Sequence, residues 1–374
     1  VRALVYQLVV LALIAGTVWF LAHNTLENMR IRGIQSGFDF LTQPAGFDIG
    51  ETMFSYESID PYWKAFAIGV ANTLRVAIIG IFLTTLIGVL VGVGRFSRNA
   101  MVRGLCYGYV ELFRNVPVLL QLLMWYLLLT EWLPDPGDPI SLGGLAFLSK
   151  GGFAIPVPLA STGLALAVGG AALGLIGAWL YRRWARAAFE RTGQPRATFL
   201  PGVALVIGLS LLGWLAGGAP TAWDVPVSGE AAVSGGANMT PEFTAVLLGL
   251  VFYTASFVAE VVRAGIQSVA LGQSEAASAL GLSRGITMRL VVLPQAMRVI
   301  IPPMTNQFLN LTKNSSLAVA IGYPDVVSIS NTAINQTGRA VECITLVMAI
   351  YLTTSLVTSG LMNWYNRRAA IKER

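Results

Sequence analysis

Charge is scarce in this chain. Asp, Glu, Lys and Arg make up 12% of its 374 residues, where a soluble globular domain carries about 25%. Apolar residues fill the difference at 55%, and mean hydropathy is +0.66. That balance excludes an ordinary soluble domain and indicates a polytopic membrane protein. Histidine is nearly missing. With His23 alone, a His-ligated metal site and a Ser-His-Asp triad are excluded, and its place at the end of an apolar run makes it an interfacial residue. Cys106 and Cys343 are isolated, so neither a disulfide framework nor a metal-ligand spacing follows. Lysine occurs only at Lys64, Lys150, Lys313 and Lys372, never after Gly, so no G-x-x-x-x-G-K-[ST] phosphate loop exists. The stretches GVLVGVGRF and GGAALGLIGAW lie inside apolar runs with no strand before them. There they permit close helix approach rather than cradle a dinucleotide. The net charge of +6 reads as membrane orientation, not nucleic-acid binding. The chain begins at Val1 rather than Met, so its natural N-terminus is expected upstream.

What the chain has in quantity is long apolar runs. A bilayer crossing needs about 20 such residues, and about eight candidates qualify. They are Leu4–Ala22, Phe66–Gly94, Leu105–Trp132, Leu159–Tyr181, Phe199–Gly217, Phe243–Val262, Val299–Gly322 and Val341–Trp364. The first is too long for a signal-peptide core and lacks a clean cleavage site. The connections alternate in charge. Acidic ones hold Glu27, Asp39, Asp48, Glu51, Glu57 and Asp60, then Glu131, Asp135 and Asp138, then Asp224, Glu230 and Glu242. Basic ones hold Arg95, Arg98 and Arg103, then Arg182, Arg183, Arg186, Arg191 and Arg196, then Arg263, Arg284 and Arg289, and the tail reads RRAAIKER. The positive-inside rule then puts both termini in the cytoplasm. The connection after the seventh run, with only Asp325 and Arg339, is the weakest part of the pattern. The Pro- and Gly-rich segments 134–158 and 217–241 read as extracytoplasmic loops. No soluble domain of about 100 residues fits anywhere.

A polar, Ala-rich segment, GQSEAASALGLSRGITMRLVVLP (Gly272–Pro294), joins the sixth and seventh runs on the cytoplasmic side. Its periodicity predicts a short helix around QSVALGQSEAASAL. Gly281 suits a helix C-cap with positive φ. Ser283 is placed to cap a second helix that Pro294 ends or kinks. Ala276 and Ala277 offer a face open to close approach. On periodicity alone, an amphipathic interfacial connector fits as well as a docking elbow.

Ionisable residues inside spans are costly and face protein or a wet cavity. Arg75, Glu111, Arg114, Glu260 and Lys313 are the candidates. Glu111 and Arg114 are three apart and predict a pair. Glu260 and Arg263 fit an anchor for the elbow as well as a pathway. In the seventh run Asn306, Asn310, Lys313 and Asn314 share one helical face, widened by Thr305, Gln307 and Thr312, just after a predicted break at Pro302-Pro303. A polar stripe beside a backbone break fits a solute pathway, and interhelical hydrogen bonding remains the other reading.

Glu275-Ala276-Ala277, Gly281 and Val291-x-Leu293-Pro294 together resemble the EAA motif of ABC-importer permeases, with Val291 where the family usually has Ile. The flanks ASFVAEVVRAGIQSV and PQAMRVIIPPMTNQFLNLTKNSSLA, and Glu111, Arg114, Pro117 and Gln121 in the third run, are similar to the polar amino-acid branch, in particular the first permease of general L-amino-acid importers. The resemblance covers about 72–121 and 243–361. It implies an all-α polytopic fold with a type I importer permease core, divided into an N-terminal helix and periplasmic loop (1–65), a first core part (66–133), an insert with two extra spans (134–242), a second core part (243–364) carrying the elbow (264–296), and a tail (365–374). It implies that Gly272, Glu275, Ala276, Ala277, Leu280, Gly281 and Leu282 couple to an ATPase. Arg75, Glu111, Arg114, Asn306, Asn310 and Lys313 become the expected substrate-pathway residues.

The resemblance further implies a non-catalytic subunit of the bacterial inner membrane, with no catalytic residue, metal or cofactor of its own. ATP and Mg would be bound by a dimeric ATPase partner. A second, related permease, more readily a heterodimer than a homodimer, and a periplasmic amino-acid-binding protein complete the expected partners, with no nucleic acid. The function implied is import of polar L-amino acids by alternating access. Which amino acids pass, and whether this chain selects them, stays open. The rival is an ion-coupled secondary transporter, which needs broken helices in both halves, and only one Pro-broken segment is visible. An assembly protein without transport is disfavoured by the intramembrane charges.

Overall fold

A computed structural model describes residues 2–31, 33, 36–159, 161–194, 196–229 and 232–369. Glu230 and the end of the tail, 370–374, lie outside the described residues. The chain forms two compact units, Val1–Leu128 with Glu242–Arg374, and Leu129–Pro241.

In the first unit, α1 (Arg2–Ile31) and α2 (Tyr62–Gly94) are followed by α3 (Ala100–Asn115) and α4 (Val118–Leu127). The expected third span, Leu105–Trp132, is therefore not one helix: the chain bends by 104° at the break. Pro117 disfavours helical backbone at the residue before it, and Val116 is extended at φ −97°, ψ 128°. Among the described residues seven helices are long and apolar enough to cross a membrane, or eight with this bent pair counted as one span.

The second unit holds α5 (Thr162–Thr192) and α6 (Phe199–Ala216). Their backbones meet through glycines: a Cβ on Gly170 would lie 2.1 Å from the Leu209 carbonyl oxygen, the close approach that small residues permit between spans. The segments expected to be loops pair instead into short antiparallel strands. β1 (Ile140–Leu142), β2 (Ala146–Ser149), β3 (Gly152–Ile155), β4 (Val157–Pro158), β5 (Trp223–Asp224), β6 (Val227–Ser228), β7 (Val233–Ser234) and β8 (Ala237–Met239) form a sheet in the order β1-β2-β3-β8 and two strand pairs, β4-β5 and β6-β7. Gly143 and Gly144, both at positive φ, turn β1 into β2. Strands this short carry no readable period-2 pattern.

The first unit resumes with α7 (Pro241–Gln267), the elbow helices α8 (Leu271–Ala279) and α9 (Arg284–Thr287), then α10 (Leu293–Asn314), α11 (Val326–Thr337) and α12 (Ala340–Ala369). Pro294 does not end a helix: it follows the π-helical turn Met288–Val292 inside helical backbone that continues through α10. The expected break at Pro302-Pro303 is absent: both prolines sit inside continuous α10. The carbonyls they leave without a donor, four residues earlier, belong to Arg298 and Val299 on the exposed side of the helix. The opposite side is held by Ala296, Ile300, Met304 and Phe308 packed on Val258 and Val262 of α7. The backbone tightens only after Asn314, in a 3-10 turn over Ser315–Ile321.

The weak point of the charge pattern is explained by burial. The stretch after α10 contains α11, and Asp325 and Arg339 at its two ends are 0% and 5% exposed. Asp325 caps α11 by accepting from Ser328 N at 2.8 Å. Arg339 donates to the Gly37 carbonyl at 2.6 Å and to both carboxylate oxygens of Asp39 at 2.7 and 3.0 Å. The hydrogen bond from Arg339 holds the Asp39 carboxyl below its usual value. The acidic loop after α1 is thus built into the fold. Phe40 and Ala45 join Tyr62, Ala65 and Phe66 of α2, Val326, Ile329 and Ala333 of α11 and Cys343 of α12 in one buried cluster. His23 stacks on Trp19, with ring centroids 5.3 Å apart, and both cysteines are free.

Candidate functional site

The elbow follows α7 through a short link at Ser268–Ala270. Helix α8 ends in a Schellman motif: Gly281 N donates to Ser278 O at 2.9 Å and Leu282 N to Ala277 O at 3.1 Å, with Gly281 at φ +73°. Ser283 occupies the N-cap position of α9 but makes no side-chain capping bond. A π-helical turn, Met288–Val292, then runs straight into α10. Gln295 Nε2 ties the two parts together by donating to Gln273 Oε1 at 3.2 Å. Of the expected coupling residues, Gly272, Glu275, Ala276, Leu280 and Gly281 are exposed and Leu282 is half-buried. Ala277 is buried, so Ala276 and Ala277 do not share an open face. Consecutive helical residues point about 100° apart, and one turns inward. Leu271 and Leu280 stand 81% and 80% exposed on this otherwise polar segment, apolar knobs that fit a docking surface.

Just before the elbow, Glu260 gathers three arginines. Arg95, following α2, donates to Glu260 Oε2 at 2.5 Å. Arg263 Nε donates to Oε1 at 3.0 Å, and Arg114 of α3 lies 3.7 Å from Oε2 and over the Phe257 ring. Glu111 and Arg114 do not form the expected pair. Asn115 Nδ2 donates to Glu111 Oε2 at 3.4 Å, because α3 directs Arg114 toward α7. One carboxylate thereby holds the ends of α2, α3 and α7 together.

The pathway candidates divide into two sets. Asn306, Asn310 and Lys313 are all exposed on one face of α10, with Asn314 half-buried beside them. Thr305 and Thr312 do not widen that face, since their hydroxyls donate to Ile301 O and Phe308 O of their own helix. Arg75 lies elsewhere. It pairs with Glu51 of the loop before α2, and its guanidinium sits 4.0 Å over the Phe243 ring. The structure also adds Arg298, which the sequence did not single out, and gives the motif residue Gln121 a structural role. Arg298 is exposed eight residues before Asn306, on the same face, and that spacing was there to be read. Gln121, 2% exposed, donates through Nε2 to Phe113 O and Val116 O at 2.9 Å each, closing the end of α3 at the break. Among the described residues no group of three or more His, Cys, Asp or Glu could hold a metal ion.

Residues 80–371 match the model of the binding-protein-dependent transport system inner membrane component family. The chain belongs to this family. It is 46% identical over its whole length, and 93% of the relative's, to the general L-amino acid transport system permease protein AapQ of Rhizobium johnstonii. It is 44% identical to the putative amino-acid ABC transporter permease protein YhdX of Escherichia coli K12, covering all of this chain and 95% of that one. It is 40% identical to the glutamate/glutamine/aspartate/asparagine transport system permease protein BztB of Rhodobacter capsulatus, again over all of this chain and 95% of that one. Membership in a binding-protein-dependent system leaves the ion-coupled secondary transporter without support. The one bent span among the described residues is at Pro117 rather than at Pro302-Pro303, so a second broken helix, which that rival needs, is still not seen among them.

Proposed function

We propose that this chain is the permease subunit of an ATP-driven importer of polar L-amino acids, working by alternating access with an external motor. The observation that carries the reading is the continuity of the elbow with α10. The exposed Leu271, Leu280 and Gly281 lie on a segment whose π turn passes directly into the helix bearing Arg298, Asn306, Asn310 and Lys313. A movement imposed on the elbow passes through the Gly281 turn into α9, and from α9 it reaches the polar face of α10 along continuous helical backbone. Exposed Asn, Arg and Lys on a span are too costly to leave against lipid. They fit a wet pathway shared with a second permease, and a related partner agrees with the single elbow in this chain. ATP and Mg belong to a separate dimeric ATPase, and a periplasmic amino-acid-binding protein delivers the substrate. Both termini are cytoplasmic in this reading, in the bacterial inner membrane.

The test is ATPase activity of the assembled complex in liposomes, with and without amino-acid-loaded binding protein. Wild type is expected to be stimulated. Gly281→Asp and Glu275→Lys are expected to lose stimulation while the complex stays assembled. Amino-acid flux that follows an ion gradient without ATP hydrolysis would remove the reading.

A further inference from the structure

The break between α3 and α4 lies level with the middle of α7. Phe113, before the break, and Trp125, after it, both stack on the Phe252 ring at 5.4 Å, and Phe252 is near the midpoint of Pro241–Gln267. Two helix ends of opposite polarity therefore meet inside the membrane-spanning part of the chain. The N-terminus of α4 has no side-chain cap. Among the described residues the N–H groups of Val118, Leu119 and Leu120 meet no acceptor, and Leu119 and Leu120 are exposed. At the end of α3, the carbonyls of Phe113 and Val116 are held by Gln121 Nε2. Those two bonds pin the carboxamide at the break, and its other atom, Oε1, is buried without a hydrogen-bond partner. A buried unpartnered acceptor in a native fold calls for an explanation.

Free N–H groups at a helix N-terminus favour an anion. Clustered carbonyl and amide oxygens favour a cation or a strong donor. An α-amino acid brings both groups a short distance apart. We propose that the break at Val116–Pro117 is a binding station for the main-chain groups of the transported amino acid, a reading that rests on the function proposed above. The carboxylate is taken by the N–H groups of Val118, Leu119 and Leu120. The ammonium, with three donors, replaces Gln121 Nε2 on the Phe113 and Val116 carbonyls and also donates to Oε1. The released Nε2 then donates to the carboxylate. Because only groups common to all α-amino acids are read, the station accepts different side chains.

The test is equilibrium binding of radiolabelled L-glutamine and L-alanine to the assembled permease–ATPase complex without binding protein. Both are expected to bind with similar affinity. N-acetyl-L-glutamine and L-glutamine methyl ester, each with one charged group masked, are expected to compete about tenfold more weakly or worse. Gln121→Leu is expected to weaken both amino acids by the same factor, leaving their affinity ratio unchanged. No binding to wild type, equal competition by the masked analogues, or unaltered binding by Gln121→Leu would overturn the station. If Gln121→Leu fails to assemble, the analogue competition on wild type decides. Import by wild type in liposomes with binding protein separates the two readings. Intact import with failed binding removes the station alone, and absent import removes the function beneath it.

Discussion

Arg75 carries a full charge into α2, and Glu51 reaches it from the loop before that helix. The carboxylate is 8% exposed, and the guanidinium is shared between it and the face of Phe243. Such a pair stabilises little relative to an apolar replacement, but breaking it leaves a buried charge with its main partner gone, at a cost of about 3–5 kcal/mol. Arg75→Ala is therefore expected to lower the thermal midpoint of the purified complex sharply. Adding Glu51→Gln in the same chain should recover a large part of the loss, since the stranded charge is gone. Additive losses from the two changes would mean that the residues do not act as a pair. The same geometry sets Arg75 apart from Asn306, Asn310 and Lys313: its charge is engaged by a loop of its own chain, whereas theirs face outward on α10.

At the scale of elements, Gly281 and Gly272 make a controlled comparison on one elbow. Both positions have open space around them, so an added methyl meets nothing in either case. Only Gly281 is at positive φ, +73°, where an L side chain costs about 1–2 kcal/mol. Gly281→Ala should loosen the Schellman turn and reduce ATPase stimulation, with Gly272→Ala much closer to wild type. Equal effects would show that contact area rather than backbone conformation matters. This turn was legible in the sequence because a glycine between two short helical patterns has few other uses. The long apolar runs were legible for the same kind of reason, as few alternatives suit a run of that length. The prolines were harder. Pro117 breaks its span and Pro302-Pro303 do not, and the difference lies in packing. Ile300, Met304 and Phe308 hold α10 against α7 through the missing bonds, while Gln121 stabilises the separated end of α3. Helix α11 was hidden because Asp325 and Arg339 read as loop charges, although Asp is also a favoured N-cap residue. The strands of the second unit were too short to show any period.

Asp325 acts on the stability of the whole molecule, because it sits on the connection between the α10 and α12 spans, where α2, α11 and α12 close on one another. It is fully buried. Its Oδ1 accepts from Ser328 N at 2.8 Å, and its Oδ2 accepts from Tyr351 Oη at 3.5 Å. Burial dominates over these hydrogen bonds and pushes the carboxyl up to about 7 from 3.8. The sign of the linkage follows from proton counts. Below 3.8 both folded and unfolded chains hold the proton, and the group costs nothing. As pH rises toward 7 the unfolded chain releases its proton while the folded one keeps it, so stability falls through this window and levels off above it. The full loss is on the order of a few kcal/mol. Asparagine keeps an oxygen for the Ser328 cap and has no proton to release. Asp325→Asn is therefore expected to flatten the pH dependence of the thermal midpoint between about pH 4 and 7 and to raise the midpoint most at the upper end. Measuring unfolding of wild type and variant complexes at several pH values across that window checks both points. Parallel pH profiles for the two proteins would mean that the Asp325 carboxyl titrates at its ordinary value and that its burial is compensated elsewhere in the α2–α11–α12 core.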